Sequence, residues 1–119
     1  MIPDRFVFAC RVLTYLKAQD DFALKRVMMA SLGMPRRYRD PEMHELACLG
    51  LVVSQRGPAG GYRITELGRY ISLLDLYTLM HPDDLVSPPL LADWRTKKPQ
   101  DVVRAYARSE AGRRVAWVA

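Results

Sequence analysis

Apolar residues recur at helical spacing along the first fifty positions, and short polar breaks divide them into three predicted helices. The first helix begins at a cap supplied by Asp4 and ends near Ala18. The second runs from about Phe22 to Ser31 behind the acidic pair Asp20-Asp21, and Gly33 supplies the turn that follows. The residues on the expected inner faces are Phe6, Val7, Cys10, Leu13, Thr14, Tyr15 or Leu16, Leu24, Val27, Met28 and Ser31, and the pair Met28-Met29 is expected to fill the core.

The third helix is predicted from Pro41 to Gly50, with Asp40 as its cap. Proline in a helix interior costs ~3 kcal/mol but is favourable in the first turn, so the helix cannot begin much earlier. Its inner face is Met43, Leu46, Ala47 and Leu49. A turn or single helical turn ahead of it carries the basic cluster Arg36, Arg37, Tyr38 and Arg39.

Residues 51–65 predict a β-hairpin, because two short runs rich in β-branched and aromatic residues flank a Gly-Pro-Ala-Gly-Gly tip. Arg56 and Arg63 stand at the two edges of that tip. Glycine lets a tip approach another surface closely, and a basic tip suits a polyanion. After a helical region, such a hairpin is typical of the wing of a winged helix-turn-helix. An ordinary surface hairpin is the alternative.

Prolines at 82, 88, 89 and 99 predict that residues 81–99 are mostly loop, with room for two helical turns after Ser87. A last helix is expected from Gln100 or Asp101 to about Gly112. The predicted division of the chain is therefore a head at 1–80 and a proline-rich and helical segment at 81–119.

The chain has 119 residues, half of them hydrophobic, which is enough for one domain with one modest core. A net charge of +5 and a pI near 9.5 favour acidic partners, nucleic acid before an anionic membrane. The charge is uneven: residues 22–39 hold five basic side chains and residues 46–65 hold two, with no acid in either stretch. No apolar run or N-terminal layout indicates a membrane span or a signal peptide, so the expected location is the cytoplasm.

Candidate catalytic chemistry is sparse. Cys10 and Cys48 lie in apolar helical patterns and are expected to be reduced core residues rather than a disulfide or metal site. His44 and His81 are the only histidines, and no phosphate-binding glycine loop precedes a helix. We therefore predict neither an enzyme nor a bound cofactor or metal.

The motif Arg56-Gly57-Pro58-Ala59-Gly60-Gly61-Tyr62-Arg63 resembles the wing of the IscR/NsrR/CymR-type family of bacterial winged-helix transcription regulators. The similarity covers residues 4–80 and includes Arg5-Phe6, Tyr38 and Ile71-Ser72-Leu73-Leu74-Asp75, whose serine and aspartate have capping-box spacing. It implies a mainly α fold with a small β-hairpin, that is, an α+β winged helix-turn-helix with a C-terminal helical dimerisation segment.

By this resemblance, the recognition segment enters a major groove of double-stranded DNA while the wing touches the adjacent minor groove or backbone. A homodimer would read an inverted repeat, most simply as a repressor. The expected DNA-binding residues are Lys25, Arg26, Arg36, Arg37, Tyr38, Arg39, Arg56, Gly57, Gly60, Gly61, Tyr62 and Arg63. The expected dimerisation residues are Val102, Val103, Tyr106 and Trp117. Alternatively, Trp94 and Trp117 complete the core of the monomer.

The chain also departs from the family pattern. Family sensors with an iron–sulfur cluster carry three closely spaced cysteines beyond the segment that corresponds to residues 72–80, whereas no cysteine follows Cys48 here. No cluster of that kind is expected, and Pro41 prevents a transfer of the family's base preferences. The other functions considered are a winged-helix protein-interaction module of a replication or mobile-element complex and binding of structured RNA.

Overall fold

The structure is a computed structural model that describes residues 4–33, 40–57, 60–84 and 93–110. Among these residues, three helices precede a two-stranded antiparallel sheet and three further helices with given bounds follow it, which confirms the predicted α+β architecture. The elements are α1 (Asp4–Lys17), α2 (Lys25–Leu32), α3 (Asp40–Cys48), β1 (Val52–Gln55), β2 (Gly61–Ile64), α4 (Glu66–Tyr70), α5 (Leu73–Met80) and α6 (Pro99–Glu110).

Helix α1 is the centre of the hydrophobic core. The predicted inner face is buried except at Thr14, which is half-buried, and Phe8, Ala9 and Val12 on other sides of the helix are buried as well. This burial on several sides arises because α6 packs along α1 while α2, α3 and β2 contact it elsewhere. Between the two alternatives in the last turn, Leu16 is fully buried and Tyr15 half-buried.

Helix α2 begins at Lys25, later than predicted, and the Asp20-Asp21 pair does not cap it. Instead, Ala23 pairs with Tyr62 of β2 through two backbone hydrogen bonds of 2.8 and 2.9 Å. The Asp21 carboxylate accepts a hydrogen bond from the Phe22 amide at 2.8 Å, in the extended segment before the helix. The backbone of residues 22–24 is therefore used by the hairpin, which a local capping signal cannot reveal.

The inner face of α2 also differs from the predicted one. Met28, Met29 and Leu32 are buried, whereas Val27 is 44% exposed and Ser31 is also exposed. The prediction for Val27 and Ser31 is thus wrong, while the role of the methionines as core residues is confirmed. Gly33 ends the helix in the left-handed region at φ 70°, as its predicted role in the turn requires.

Helix α3 runs from Asp40 to Cys48 rather than from Pro41 to Gly50, so Asp40 is its first residue and not its cap, while its inner face matches the prediction. Met43 and Leu46 are buried, and Ala47 and Leu49 are half-buried against the core. Cys48 is exposed because it lies on the opposite side of the helix from Met43 and Leu46. The expectation of two core cysteines holds for Cys10 alone.

Two capped junctions determine how the chain leaves the hairpin. Thr65 caps α4: its hydroxyl accepts from the Gly68 amide at 3.1 Å and donates to the Gly50 carbonyl at 2.7 Å. Ser72 caps α5 by accepting from the Asp75 amide at 3.1 Å, which confirms the capping predicted from their spacing.

The C-terminal part of the described chain belongs to the same core as the head. Val102 of α6 is 5% exposed, and the Trp94 ring stacks on Phe6 with the ring centroids 5.6 Å apart. Trp94 therefore completes the monomer core, as one of the two alternatives predicted. The helical turns predicted after Ser87, the end at Gly112 and Trp117 lie outside the described residues.

Candidate nucleic-acid interface

The hairpin β1–β2 has a fixed register and a closed tip. Val52 pairs with Ile64, and Gln55 pairs with Gly61 at the far end of the ladder. The Gly60 amide donates to the Gly57 carbonyl at 3.0 Å, and Gly57 adopts φ 105°. This geometry at the tip favours glycine at position 57.

Two glycines of the tip serve the fold of the chain itself. A Cβ atom on Gly60 would lie 2.0 Å from the Gln55 carbonyl oxygen, and one on Gly61 would lie 2.0 Å from that of Ala23. Gly60 is buried and Gly61 half-buried, so the close approach that they permit is to the chain's own backbone. Gly57, in contrast, is exposed, with no neighbouring atom within 4 Å of a Cβ there.

The side chains of the wing divide into an outer and an inner set. Arg56 and Arg63 are exposed, and the Arg63 guanidinium lies 4.9 Å from the centroid of the Phe22 ring. Tyr62 packs against the core, and burial raises the pKa of its hydroxyl. The wing thus offers cationic groups outward while Tyr62 and Phe22 attach it to the head.

A second contact joins α2 to α3 beside the wing. The Lys25 ammonium forms an ion pair with the Asp40 carboxylate, which brings the first turns of the two helices together. The neighbouring Arg26 is exposed. Together with the Ala23–Tyr62 bridge, this ion pair makes the wing, the start of α2 and the start of α3 one continuous surface, termed the basic face below.

Some predicted site residues cannot be placed. Arg36, Arg37, Tyr38 and Arg39 lie outside the described residues, between the end of α2 and the start of α3. The side chains of Tyr106 and Trp117 are likewise outside the described part of the chain. Val102 is buried within the monomer and Val103 is half-buried against its core, so their part in a dimer remains a prediction.

The exposed side of α3 was missed by the sequence prediction. It consists of Asp40, Pro41, His44 and Cys48, and the His44 Nε2 lies 3.4 Å from the Cys48 Sγ. The spacing of four residues between positions 40, 44 and 48 is the signal that would have placed them on one side. The helix contains no lysine or arginine, so the charge pattern of the sequence does not mark it as a contact for DNA.

Helix α3 is also supported from behind, by the first turn of α1. The Arg5 Nε lies 3.5 Å from the Glu45 carboxylate of α3, and its Nη2 donates to the Met80 carbonyl of α5 at 2.9 Å. Phe6 beside it packs edge-to-face on Tyr77, with centroids 5.0 Å apart. The Arg5-Phe6 pair thus connects α3 to the end of α5.

Helices α2 and α3 followed by a hairpin with exposed arginines form the arrangement of a winged-helix protein, a fold that many transcription regulators use to bind DNA. More particularly, the chain belongs to the Rrf2 family, described as iron-dependent transcriptional regulators, whose sequence profile matches residues 2–110. This membership confirms the predicted IscR/NsrR/CymR-type resemblance. It also indicates a regulator rather than an enzyme. No curated protein matches the sequence significantly.

Similar solved structures support the same fold. The structure of CymR, the global cysteine regulator of B. subtilis, matches with a TM-score of 0.68 at 14% identity, covering 88% of this chain and 97% of that one. A candidate transcriptional regulator from Lactobacillus plantarum matches with a TM-score of 0.59 at 22% identity, covering 88% and 78%. One from Listeria innocua matches with a TM-score of 0.61 at 16% identity, covering 92% and 78%.

The iron implied by the family description was tested against the available ligands. Cys10 is buried in the core, where desolvation raises its thiol pKa, and the second cysteine, Cys48, is exposed at the end of α3. Within the described ranges, no group of three His, Cys, Asp or Glu residues could hold a metal ion. The two cysteines of the sequence do not fit a cluster bound through cysteine thiolates.

Within the described part of the chain, no helix has the length and apolar character needed to cross a membrane.

Proposed function

We propose that the protein is a homodimeric transcriptional repressor of the bacterial cytoplasm that binds an inverted repeat in double-stranded DNA. The observation that carries this proposal is the basic face, where the wing and the starts of α2 and α3 form one surface. Recognition by a winged helix-turn-helix requires these elements to contact DNA together, because one enters the major groove and the other reaches beside it.

We assign the basic side chains different roles according to their positions. Arg56 and Arg63 on the wing and Arg26 on α2 are exposed and suit phosphate contacts, which attract any DNA sequence. Arg37 and its neighbours precede α3 and suit base edges, since arginine can bond guanine through two hydrogen bonds. The Lys25 ammonium is paired with the Asp40 carboxylate, so we assign Lys25 to positioning α3 as well as to the positive potential of the basic face.

The first experiment is selection of bound duplexes from a random library at about 0.15 M salt, close to physiological ionic strength. Enrichment of an inverted repeat supports the proposal, and the spacing of its half-sites gives the dimer geometry. Binding without any enriched sequence, lost steeply as salt rises, would leave only phosphate attraction and contradict a sequence-specific regulator.

Two arginine variants separate base reading from phosphate contact. Arg37→Ala should cost about 1–3 kcal/mol on the selected sequence and reduce discrimination between sequences. Arg63→Ala should weaken binding to selected and random duplexes alike. For a dimer that neutralises ~6–8 phosphates, log K falls with log salt at a slope of about −5 to −7, and Arg63→Ala should make it shallower. Arg95→Ala, which removes an exposed charge outside both the basic face and α6, is the control.

The homodimer is tested by sedimentation equilibrium of the full chain. The candidate interface is α6 with Trp117, and Trp117→Ala should shift the protein toward monomer while its thermal midpoint stays near that of the parent. An unchanged dimer with this variant would remove Trp117 from the interface.

A second candidate function is a protein-interaction module, favoured by an exposed apolar surface on α4 and α5. Leu67, Tyr70 and Leu79 are 49%, 68% and 40% exposed and line a groove of about 550 Å³. This function predicts that duplex affinity stays at the non-specific level in the selection experiment.

A further inference from the structure

The exposed side of α3 presents unusual chemistry for a helix beside a basic face. The carboxylates of the whole helix are Asp40, Glu42 and Glu45, of which Asp40 is on the exposed side, and negative charge there would be repelled by DNA phosphates. However, Asp40 is paired with Lys25 and Glu45 lies 3.5 Å from the Arg5 Nε. Glu42 is half-buried. These contacts leave an outer side on which carboxylate charge is largely offset, so close approach to DNA is electrostatically allowed.

His44 is the group on that side best able to recognise a base. It follows Asp40 by one helical turn and is exposed, whereas Pro41 offers no side-chain hydrogen bond. The Cys48 thiol engages its Nε2 at 3.4 Å, and Nδ1 has no partner among the described residues. Whichever tautomer is present, the ring keeps one nitrogen for an outside partner and is oriented through the other.

We propose that His44 determines sequence specificity by hydrogen bonding to a base edge in the major groove, and that Cys48 is a positioning residue that orients the imidazole. The inference rests on the proposed DNA-binding function and extends it to a residue type that charge would not reveal. An oriented imidazole restricts which base edge it can meet, because a single hydrogen bond discriminates only when its direction is fixed.

The test compares His44→Ala, His44→Asn and the exposed control Thr78→Ala of α5 in the duplex selection, each as the full chain. We expect His44→Ala to lose preference at one position in each half-site and about 5- to 30-fold in affinity for the parent's best sequence. Affinity for random duplex and the salt slope should not change, because a side chain that bonds a base edge neutralises no phosphate. His44→Asn should keep a preference at that position but for a different base.

The positioning role of Cys48 is tested by a conservative pair. Cys48→Ala should reproduce part of the specificity loss of His44→Ala, and Cys48→Ser should restore it, because a hydroxyl can hydrogen bond to the ring. A merely structural role predicts the same result for both variants and overturns the role of Cys48. Since both residues are exposed, the thermal midpoints of all variants should stay near that of the parent.

The outcomes distinguish this inference from the proposed function. A parent protein with no preferred sequence contradicts the proposed function. A parent with a clear preference that His44→Ala keeps unchanged overturns the role of His44 alone. An equal loss on selected and random duplexes also overturns it, because the histidine would then contact the backbone and carry no sequence information.

Discussion

The wing and α3 belong to the same basic face but are held in place by different kinds of interaction. The wing is attached through backbone: two hydrogen bonds join Ala23 to Tyr62, and Gly61 leaves no room for a Cβ atom. Helix α3 is attached through charged side chains, Lys25 to Asp40 on its exposed side and Arg5 to Glu45 on the side toward α1. The attachment of the wing is therefore sensitive to an added side-chain atom at the contact, where there is no space for it. The attachment of α3 is sensitive instead to the loss of a charged group and to salt.

The largest expected effect is on the wing. Gly61→Ala should lower the free energy of unfolding by about 3 kcal/mol, because its Cβ atom would overlap the Ala23 carbonyl and φ there is 147°. Thermal unfolding measures the loss. Gly57→Ala is the matched control, since its φ of 105° is strained but the surrounding space is open, and it should cost about 1 kcal/mol. Equal losses for the two variants would contradict the bridge as the attachment of the wing.

The next effect concerns the support of α3 from α1. Arg5→Met keeps the aliphatic stem but removes the bonds to the Met80 carbonyl and the Glu45 carboxylate. We expect a loss of about 1–2 kcal/mol in unfolding free energy, moderated by the partial exposure of both side chains. Arg104→Met, which breaks a more exposed pair with Asp101, should cost less than about 0.5 kcal/mol. If the two variants cost the same, Arg5 does not support α3.

A smaller effect is expected from the ion pair at the front of α3. A double-mutant cycle with Lys25→Met and Asp40→Asn should give a coupling of about 0.5 kcal/mol, because the Asp40 side chain is 60% exposed and water screens the pair. The coupling should shrink further in 1 M salt. A coupling that does not respond to salt would argue against an electrostatic attachment.

The smallest effect is pH dependent and again concerns the support of α3. Burial, followed by the positive charge of Arg5, lowers the pKa of His81, while Asp84 and Glu45 oppose the shift. The unfolded chain therefore takes up this proton first as the pH falls below about 6.5, the ordinary histidine value. Stability from the neutral ring is present above that pH and decreases as the pH approaches the lowered pKa.

Urea unfolding between pH 7.5 and 5 measures how the free energy of unfolding depends on pH, and His81→Gln should weaken that dependence. Amide exchange in β1 and β2 should change less than exchange in α3 and the end of α5, because Arg5 connects the latter two. The same pH dependence of the unfolding free energy in the parent and the variant would show that His81 does not contribute to it.

Local signals predicted the parts of the fold that depend on neighbouring residues. The hairpin between 51 and 65, the turn at Gly33 and the Ser72 cap are of this kind. The start of α2 was predicted wrongly because Ala23 is recruited by Tyr62, which lies far along the chain. The inner face of the helix was also predicted wrongly, since Met28, Met29 and Leu32 are buried while Val27 and Ser31 are exposed.

For the candidate site, charge counting found the arginines but not what surrounds them. The pairing of Lys25 with Asp40 and the stacking of Arg63 over Phe22 depend on tertiary contacts that no sequence spacing contains. Helical periodicity places His44 and Cys48 on one side of α3. Neither residue is a lysine or arginine, so Cys48 was predicted as a core residue and His44 was given no role in DNA binding. The need for glycine at positions 60 and 61 likewise follows only from the short distances between a Cβ atom there and backbone atoms of Gln55 and Ala23.

The two hydrogen bonds between Ala23 and Tyr62 have a consequence for the thermodynamics of association. An isolated two-stranded hairpin is marginally stable in water, and ordering each residue costs about 1–2 kcal/mol in backbone entropy. Because the bridge orders the wing during folding, encounter with DNA does not have to. Calorimetry should therefore show a heat-capacity change that matches the area buried at the interface, without the additional change of a segment that folds on binding.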